Sequence, residues 1–158
     1  FAGTLDPYLP GYYAGFPDAH AAYSYYFESE LKCAGEFNCF DSYGHLDYAL
    51  RYGPDNQNFR YSDYSDVLDE LLKTLINNGK AIEINSKGFR TSIKRPNPDI
   101  SVLKRYRELG GEYVTVGSDA HVYSDIASDF DMVRDILLSA GFRYYAVFLQ
   151  RKAELIKL

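Results

Sequence analysis

Apolar residues recur along this chain with two alternating periods, and that alternation predicts its elements. From Asp18 to about Ala34, Tyr23, Tyr26, Phe27, Leu31 and Ala34 fall at helical spacing, so an amphipathic helix ends near Gly35. Phe37 to Tyr43 then reads as a short strand leading into His45. Between Asp63 and Asn78, Val67, Leu68, Leu71, Leu72, Leu75 and Ile76 form a helical stripe, with Gly79 as its C′ residue. Lys80 to Asn85 is a strand carrying Ala81, Ile82 and Ile84.

Asn97-Pro98 reads as an N-cap followed by proline at the first helical position. The helix it opens carries Val102, Leu103, Tyr106 and Leu109 to Gly110-Gly111. Tyr113 to Gly117 is a strand running directly into Ser118. A last helix covers roughly Ser124 to Ala140, with Phe130, Val133, Ile136 and Leu137 inward, and Tyr144 to Leu149 closes the chain as a strand. Residues 1–17 and 52–62, rich in Gly, Pro, Asn and Tyr, read as loops. Helix and strand alternate four times over residues 18–158, which predicts an α/β fold with parallel strands beneath helices. Four such pairs are half of a closed α/β barrel, which needs ~250 residues.

Composition narrows the function classes. A length of 158 residues suits a single domain. No apolar run reaches ~18 residues, so no membrane span is indicated, and no signal peptide opens the chain. A cytoplasmic protein is expected. The net charge of −5 argues against a nucleic-acid binder, which needs clustered Lys and Arg, though not against a small phosphorylated substrate. Cys33 and Cys39 are the only cysteines, too few for a disulfide framework or a zinc finger, and are expected as free thiols. The chain starts at Phe1 without a methionine and its first strand reads as mid-fold, so a fragment or a processed product is expected.

Chemistry concentrates in two segments, Gly44-His45-Leu46-Asp47 and Gly117-Ser118-Asp119-Ala120-His121. Each sets a histidine two residues from an aspartate at the end of a predicted strand, where α/β proteins place their sites. If strand geometry persists, His45 shares a face with Asp47, and Asp119 with His121. Imidazole and carboxylate suit Zn, Mn or Fe, and the two pairs together could converge on one metal cluster. A helix cap for Asp119 and a core role for His45 are the alternatives. Glu83 and Asn85 put polar groups on one face of an apolar strand, where a carboxylate is costly unless paired or used. Arg51 and Arg90 sit in loops after strands, where guanidinium groups bind phosphate in bidentate fashion or simply face solvent. His20, in the first turn of a helix, is expected at the surface. A Gly-rich phosphate loop and a Gly-x-Ser-x-Gly elbow are both absent.

The run Tyr43-Gly44-His45-Leu46-Asp47, Arg51-Tyr52-Gly53, Leu68-Asp69-Glu70 and Gly79 to Asn85 resembles the histidinol-phosphatase branch of the polymerase and histidinol phosphatase (PHP) superfamily. The likeness continues through Gly88-Phe89-Arg90, Arg105 to Gly111, Val116 to His121, Ala140 to Tyr144 and Val147-Phe148, in order and at consistent spacing. It implies the C-terminal portion of a distorted (β/α)7 barrel, with a site of up to three divalent metal ions at the strand ends. By this resemblance His45, Asp119 and His121 are metal ligands, and Arg51 and Arg90 hold the substrate phosphate. Glu83 contacts substrate or the ligand shell, and Asp119 also accepts a proton from the attacking water.

The activity implied is hydrolysis of L-histidinol phosphate to L-histidinol, in histidine biosynthesis. A PHP phosphoesterase for another small phosphate or a nucleotide, or an inactive truncated fragment acting only in binding, are the alternatives. The family's opening His-x-His strand, its further histidine and its metal-binding glutamate have no counterpart here. A partial PHP domain over 1–158 is therefore expected, lacking roughly 100 N-terminal residues on barrel size, which a separate chain could supply.

Overall fold

The computed structural model describes residues 6–9 and 11–158. The predicted loop over 1–17 therefore lies partly outside the described residues, and its visible part contains a single helical turn, α1 (Gly11–Ala14). Helix α2 (Ala19–Glu36) starts where Asp18 accepts a bond from the Ala21 N–H at 2.8 Å, and it runs through Gly35 rather than ending there. Strand β1 is only Ser42–Tyr43. The predicted strand is shortened because Phe40 and Asn38 give their carbonyls to the Lys80 ammonium, at 2.7 and 3.2 Å, instead of to a ladder.

Helix α3 (Ser65–Asn77) buries Leu68, Leu71, Leu72 and Leu75 completely. It ends at Gly79, whose φ of 65° lets the Gly79 and Lys80 N–H groups cap the Ile76 and Leu75 carbonyls. Strand β2 (Ala81–Asn85) follows, with only Glu83 not fully enclosed. Helix α4 is Ile100–Glu108, and its N-cap is Asp99, which bonds the Ser101 N–H. The cap expected at Asn97 is thus displaced by two residues, because the Asn97 side chain is drawn inward to Asp47 and Arg51.

Strand β3 is Val114–Gly117. Helix α5 is Phe130–Ser139, six residues later than predicted, since Ala127 and Asp129 adopt positive φ and interrupt any earlier turn. Strands β1, β2 and β3 form one parallel sheet with β2 central, in register Ser42↔Ala81 and Ile82↔Val114. The α/β class holds for these elements. The fourth strand departs from the parallel pattern. Strand β4 (Tyr144–Leu149) turns through Gln150-Arg151, both at positive φ, and pairs antiparallel with β5 (Lys152–Lys157). Two successive left-handed residues are what a two-residue hairpin turn of type I′ requires.

Below the sheet ends lies a core of Phe27, Leu46, Leu50, Leu68, Leu72, Ile82, Ile84 and Leu103, all fully buried. At ~1.5–3 kcal/mol per enclosed side chain, this core anchors the parallel strands and so the loops at their ends. Among the described residues no helix is long and apolar enough to cross a membrane. Cys33 and Cys39 are free, and His20 is exposed, stacked on Tyr64 at 4.9 Å.

Candidate active site at the strand ends

Three parallel strands end side by side, and each contributes a polar group. After β1 the chain turns at His45 (φ 31°) and after β3 at Asp119 (φ 48°), two non-glycine residues in the left-handed region. Such backbone costs of order 1 kcal/mol or more and clusters at functional sites. The turn at His45 ends strand geometry, which corrects the expectation that His45 and Asp47 share a face. His45 lines an open cleft of about 820 Å³, whereas Asp47 points inward and is 1 % exposed.

Between the two turns stands Glu83 of β2. Its Oε2 accepts from the His45 backbone N–H and from Asn85 Nδ2, both at 3.0 Å. Gly117 makes room for it, since a Cβ at that position would collide with Glu83 Oε1. Gly44, the residue after β1, flanks the same carboxylate, and a Cβ there would lie 3.5 Å from Oε2, in ordinary contact. The glycine that ends β3 is therefore a consequence of a carboxylate placed on the middle strand.

Asp119, His121, Arg51 and Lys87 line the same cleft as His45. Arg51 is buried, and its guanidinium is held on three sides. Nε donates to Asn97 Oδ1 at 2.6 Å, one terminal nitrogen to Asn85 Oδ1 at 2.7 Å, and the other to Asp119 Oδ2 at 2.7 Å. The group also lies 5.6 Å from the Tyr48 ring centroid. Lys87 reaches His121 Nδ1 at 3.0 Å and Asp119 Oδ2 at 3.6 Å. His121 Nδ1 also lies 2.9 Å from the Asp119 carbonyl.

Electrostatics follow from these contacts. Burial alone would raise the Asp119 carboxyl, but the Arg51 bond and charge, with Lys87 and His45, outweigh it and hold the group below its ordinary value. Burial, reinforced by the Arg51 charge, lowers His45, so its imidazole is neutral and able to donate a lone pair at neutral pH. Burial pushes Asp47 up to about 6, against the opposing bonds from Asn97 and the Asp99 N–H. Burial likewise raises Glu30, whose carboxylate accepts from the Tyr43 hydroxyl at 2.6 Å on the cleft wall.

Arg90 stands apart from this group. It braces the loop after β3 from behind, donating to Asp129 Oδ2 at 2.6 Å and to the Ser118 carbonyl at 2.7 Å. The residues that sequence reasoning overlooked are Lys87 and Asn97. Lys87 had a detectable signal, since it is a cation in the loop after a predicted strand, as the arginines are. Asn97 had none, because its partners at positions 47 and 51 are distant in sequence.

The donor set is the imidazole and carboxylate chemistry that zinc favours. His45, Asp119 and His121 face one cleft, yet among the described residues no three His, Cys, Asp or Glu side chains are grouped closely enough to hold an ion alone. The residues fit a metal in kind, as a partial ligand set.

The PHP domain signature matches residues 4–87. A probable histidinol-phosphatase of Clostridium acetobutylicum is 35 % identical over 127 residues, covering 80 % of this chain and 49 % of that protein. The histidinol-phosphatase of Lactococcus lactis is 30 % identical over 125 residues, covering 78 % and 46 %. The crystal structure of the Lactococcus lactis histidinol phosphate phosphatase, complexed with zinc, L-histidinol and phosphate, superposes with a TM-score of 0.74 at 26 % identity. That match covers 96 % of this chain and 55 % of the other. The chain thus spans about half the length of the relatives it matches. The signature and these relatives agree, and the chain belongs to the PHP-domain family.

Proposed function

We propose that this chain forms the C-terminal part of the active site of a metal-dependent phosphomonoester hydrolase acting on L-histidinol phosphate. The observation that carries the reading is the convergence of His45, Asp119, His121, Arg51 and Lys87 on one cleft at the ends of parallel strands. The zinc, L-histidinol and phosphate bound by the Lactococcus lactis relative support the same substrate class. A complete (β/α)7 barrel would need a further portion, in the same polypeptide or as a second chain, to supply the remaining ligands. The proposed setting is histidine biosynthesis in the cytoplasm.

In this reading His45, Asp119 and His121 hold divalent metal. A bound divalent ion would supply Lewis acidity, lowering the pKa of water so that hydroxide is available near neutral pH and offsetting phosphoryl charge. Asp119 would present Oδ1 to the ion, and to the proton that the attacking water gives up, while Arg51 fixes Oδ2 and keeps the carboxylate from rotating away. Lys87 is the cation in the cleft with the fewest protein bonds, and so meets the phosphate most directly, alongside the two terminal N–H groups that Arg51 has left over. Arg90 contributes by holding Ser118 and so the backbone entering Asp119, or by turning its remaining donors to phosphate. Glu83 orients His45 through the backbone N–H.

Phosphate release from L-histidinol phosphate by the protein that carries this chain tests the proposal, with bound zinc measured in the same samples. His121→Ala is expected to abolish turnover and reduce zinc content. Unchanged zinc content would refute the ligand role. Metal bound without any turnover would favour a second reading, a binding fragment.

A further inference from the structure

A chain of buried polar groups runs behind the cleft, and the chemistry above does not use it. Asn97 is fully enclosed, and its backbone is bridged to Asn85 by two hydrogen bonds, of 2.7 and 3.1 Å, at the end of β2. Its side-chain amide is polarised between two charges. Nδ2 donates to Asp47 Oδ1, and Oδ1 accepts from Arg51 Nε at 2.6 Å. A guanidinium offers only donors and a carboxylate only acceptors, so a group between them must present an oxygen to one and an N–H to the other. Asparagine does so at this span. Asp47 is pinned in turn by the Asp99 N–H on Oδ2, at 2.7 Å, where α4 begins.

We propose that Asn97 is a positioning residue for Asp119, acting through Arg51, with Asp47 setting the polarity of the relay. The proposal rests on the reading of Asp119 as a metal ligand. Neither Asn97 nor Asp47 lines the cleft. Their effect passes through one rigid part, since Arg51 is held by Asn97 and Asn85 on one side and grips Asp119 Oδ2 at 2.7 Å on the other. With Oδ2 occupied, Oδ1 is the oxygen left for a metal. A side chain that fixes a ligand from behind in this way typically changes metal affinity 10–100-fold when removed.

Reversing the relay tests it. Asn97→Asp sets two carboxylates face to face, while Asp47→Asn sets two amides between the same neighbours. Together they restore every bond with the polarity inverted. The carboxylate then at position 97 would accept from Arg51 and from the amide at position 47, and that amide's oxygen would still accept the Asp99 N–H. Two readouts are taken on the full 158-residue chain. One is Zn²⁺ affinity by competition with a chelator, and the other is the Arg51 Nε–H resonance in metal-free protein.

The expected result is that Asn97→Asp weakens Zn²⁺ binding by about 10–100-fold and loses the Arg51 resonance. The double variant is expected to regain the resonance and bind Zn²⁺ within about threefold of wild type, an order-of-magnitude allowance for imperfect additivity. If the single variant fails to fold, the double variant alone decides. A double variant no better than Asn97→Asp, or lacking the resonance, overturns the relay. A lost resonance with unchanged Zn²⁺ affinity overturns the step from Arg51 to Asp119. Wild-type protein that binds no Zn²⁺ sinks the ligand reading instead, and the Arg51 resonance still judges the relay.

Discussion

Replacing Arg51 by methionine removes all five guanidinium donors while keeping most of the apolar stem. Three acceptors lose a partner, and they do not lose equally. Asn85 Oδ1 keeps the Lys87 backbone N–H at 3.0 Å. Asp119, whose side chain is 23 % exposed, can regain water. Asn97 Oδ1 has neither remedy, because Asn97 is fully buried. An orphaned buried acceptor costs about 1–3 kcal/mol, and losing an ion pair to a partly exposed carboxylate adds about 1 kcal/mol. The expected loss is therefore about 2–4 kcal/mol, a large share of the ~5–15 kcal/mol that holds a domain folded.

With no Trp and 16 Tyr, the chain can be followed in urea by tyrosine fluorescence and circular dichroism. The midpoint should fall while the slope stays constant. The loss should also depend on pH. Asp119 is held below its ordinary value in the wild type, so its contribution is present above the unfolded pKa of ~3.9 and lost as pH falls through the lower folded value. The deficit of Arg51→Met should thus be largest near neutrality and shrink below about pH 4. A deficit under about 1 kcal/mol at pH 7, or one that does not change with pH, would refute the reasoning.

Three further outcomes are expected. Gly117→Ala drives a methyl into the Glu83 carboxylate and should cost about 1–3 kcal/mol. Combined with Glu83→Ala it should cost less than the sum of the two, and strict additivity in thermal melts would show that the two sites do not touch. By NMR the Asp47 carboxyl should titrate near 6 and the His45 imidazole below its ordinary value. Asp47 therefore takes stability away as pH rises from its unfolded value towards 6, and a midpoint below about 4.5 would mean it is not buried as described. The isolated chain should associate in sedimentation, because every residue of β5 is exposed, with Leu155 at 53 %, and its outer edge has no partner among the described residues. A well-behaved monomer would contradict that expectation.

Local chemistry made much of this molecule legible without coordinates. The stripe from Leu68 to Leu75 could serve only a buried helix face, and Gly79, Gly110 and Gly141 each mark the left-handed residue that follows a helix. Ala81, Ile82 and Ile84 specified a strand enclosed by helices. The two His/Asp segments pointed to the strand ends, because residue type and position along an element are both local properties.

What the sequence left open depends on which distant residues meet. Asp47 and His121 look equivalent in the two short segments, yet His121 lines the cleft while Asp47 is buried against Asn97 and the Asp99 N–H. Arg51 and Arg90 look alike after their strands, yet one grips Asp119 and the other braces Ser118. The fate of β4 was hidden too, since a strand's pattern records which faces are apolar and not which neighbour takes its hydrogen bonds. Burial decides such cases. A charged or amide group withdrawn from water must find its complement wherever the fold brings one within about 3 Å. That complement can lie 46 residues away, as Asn97 does from Arg51.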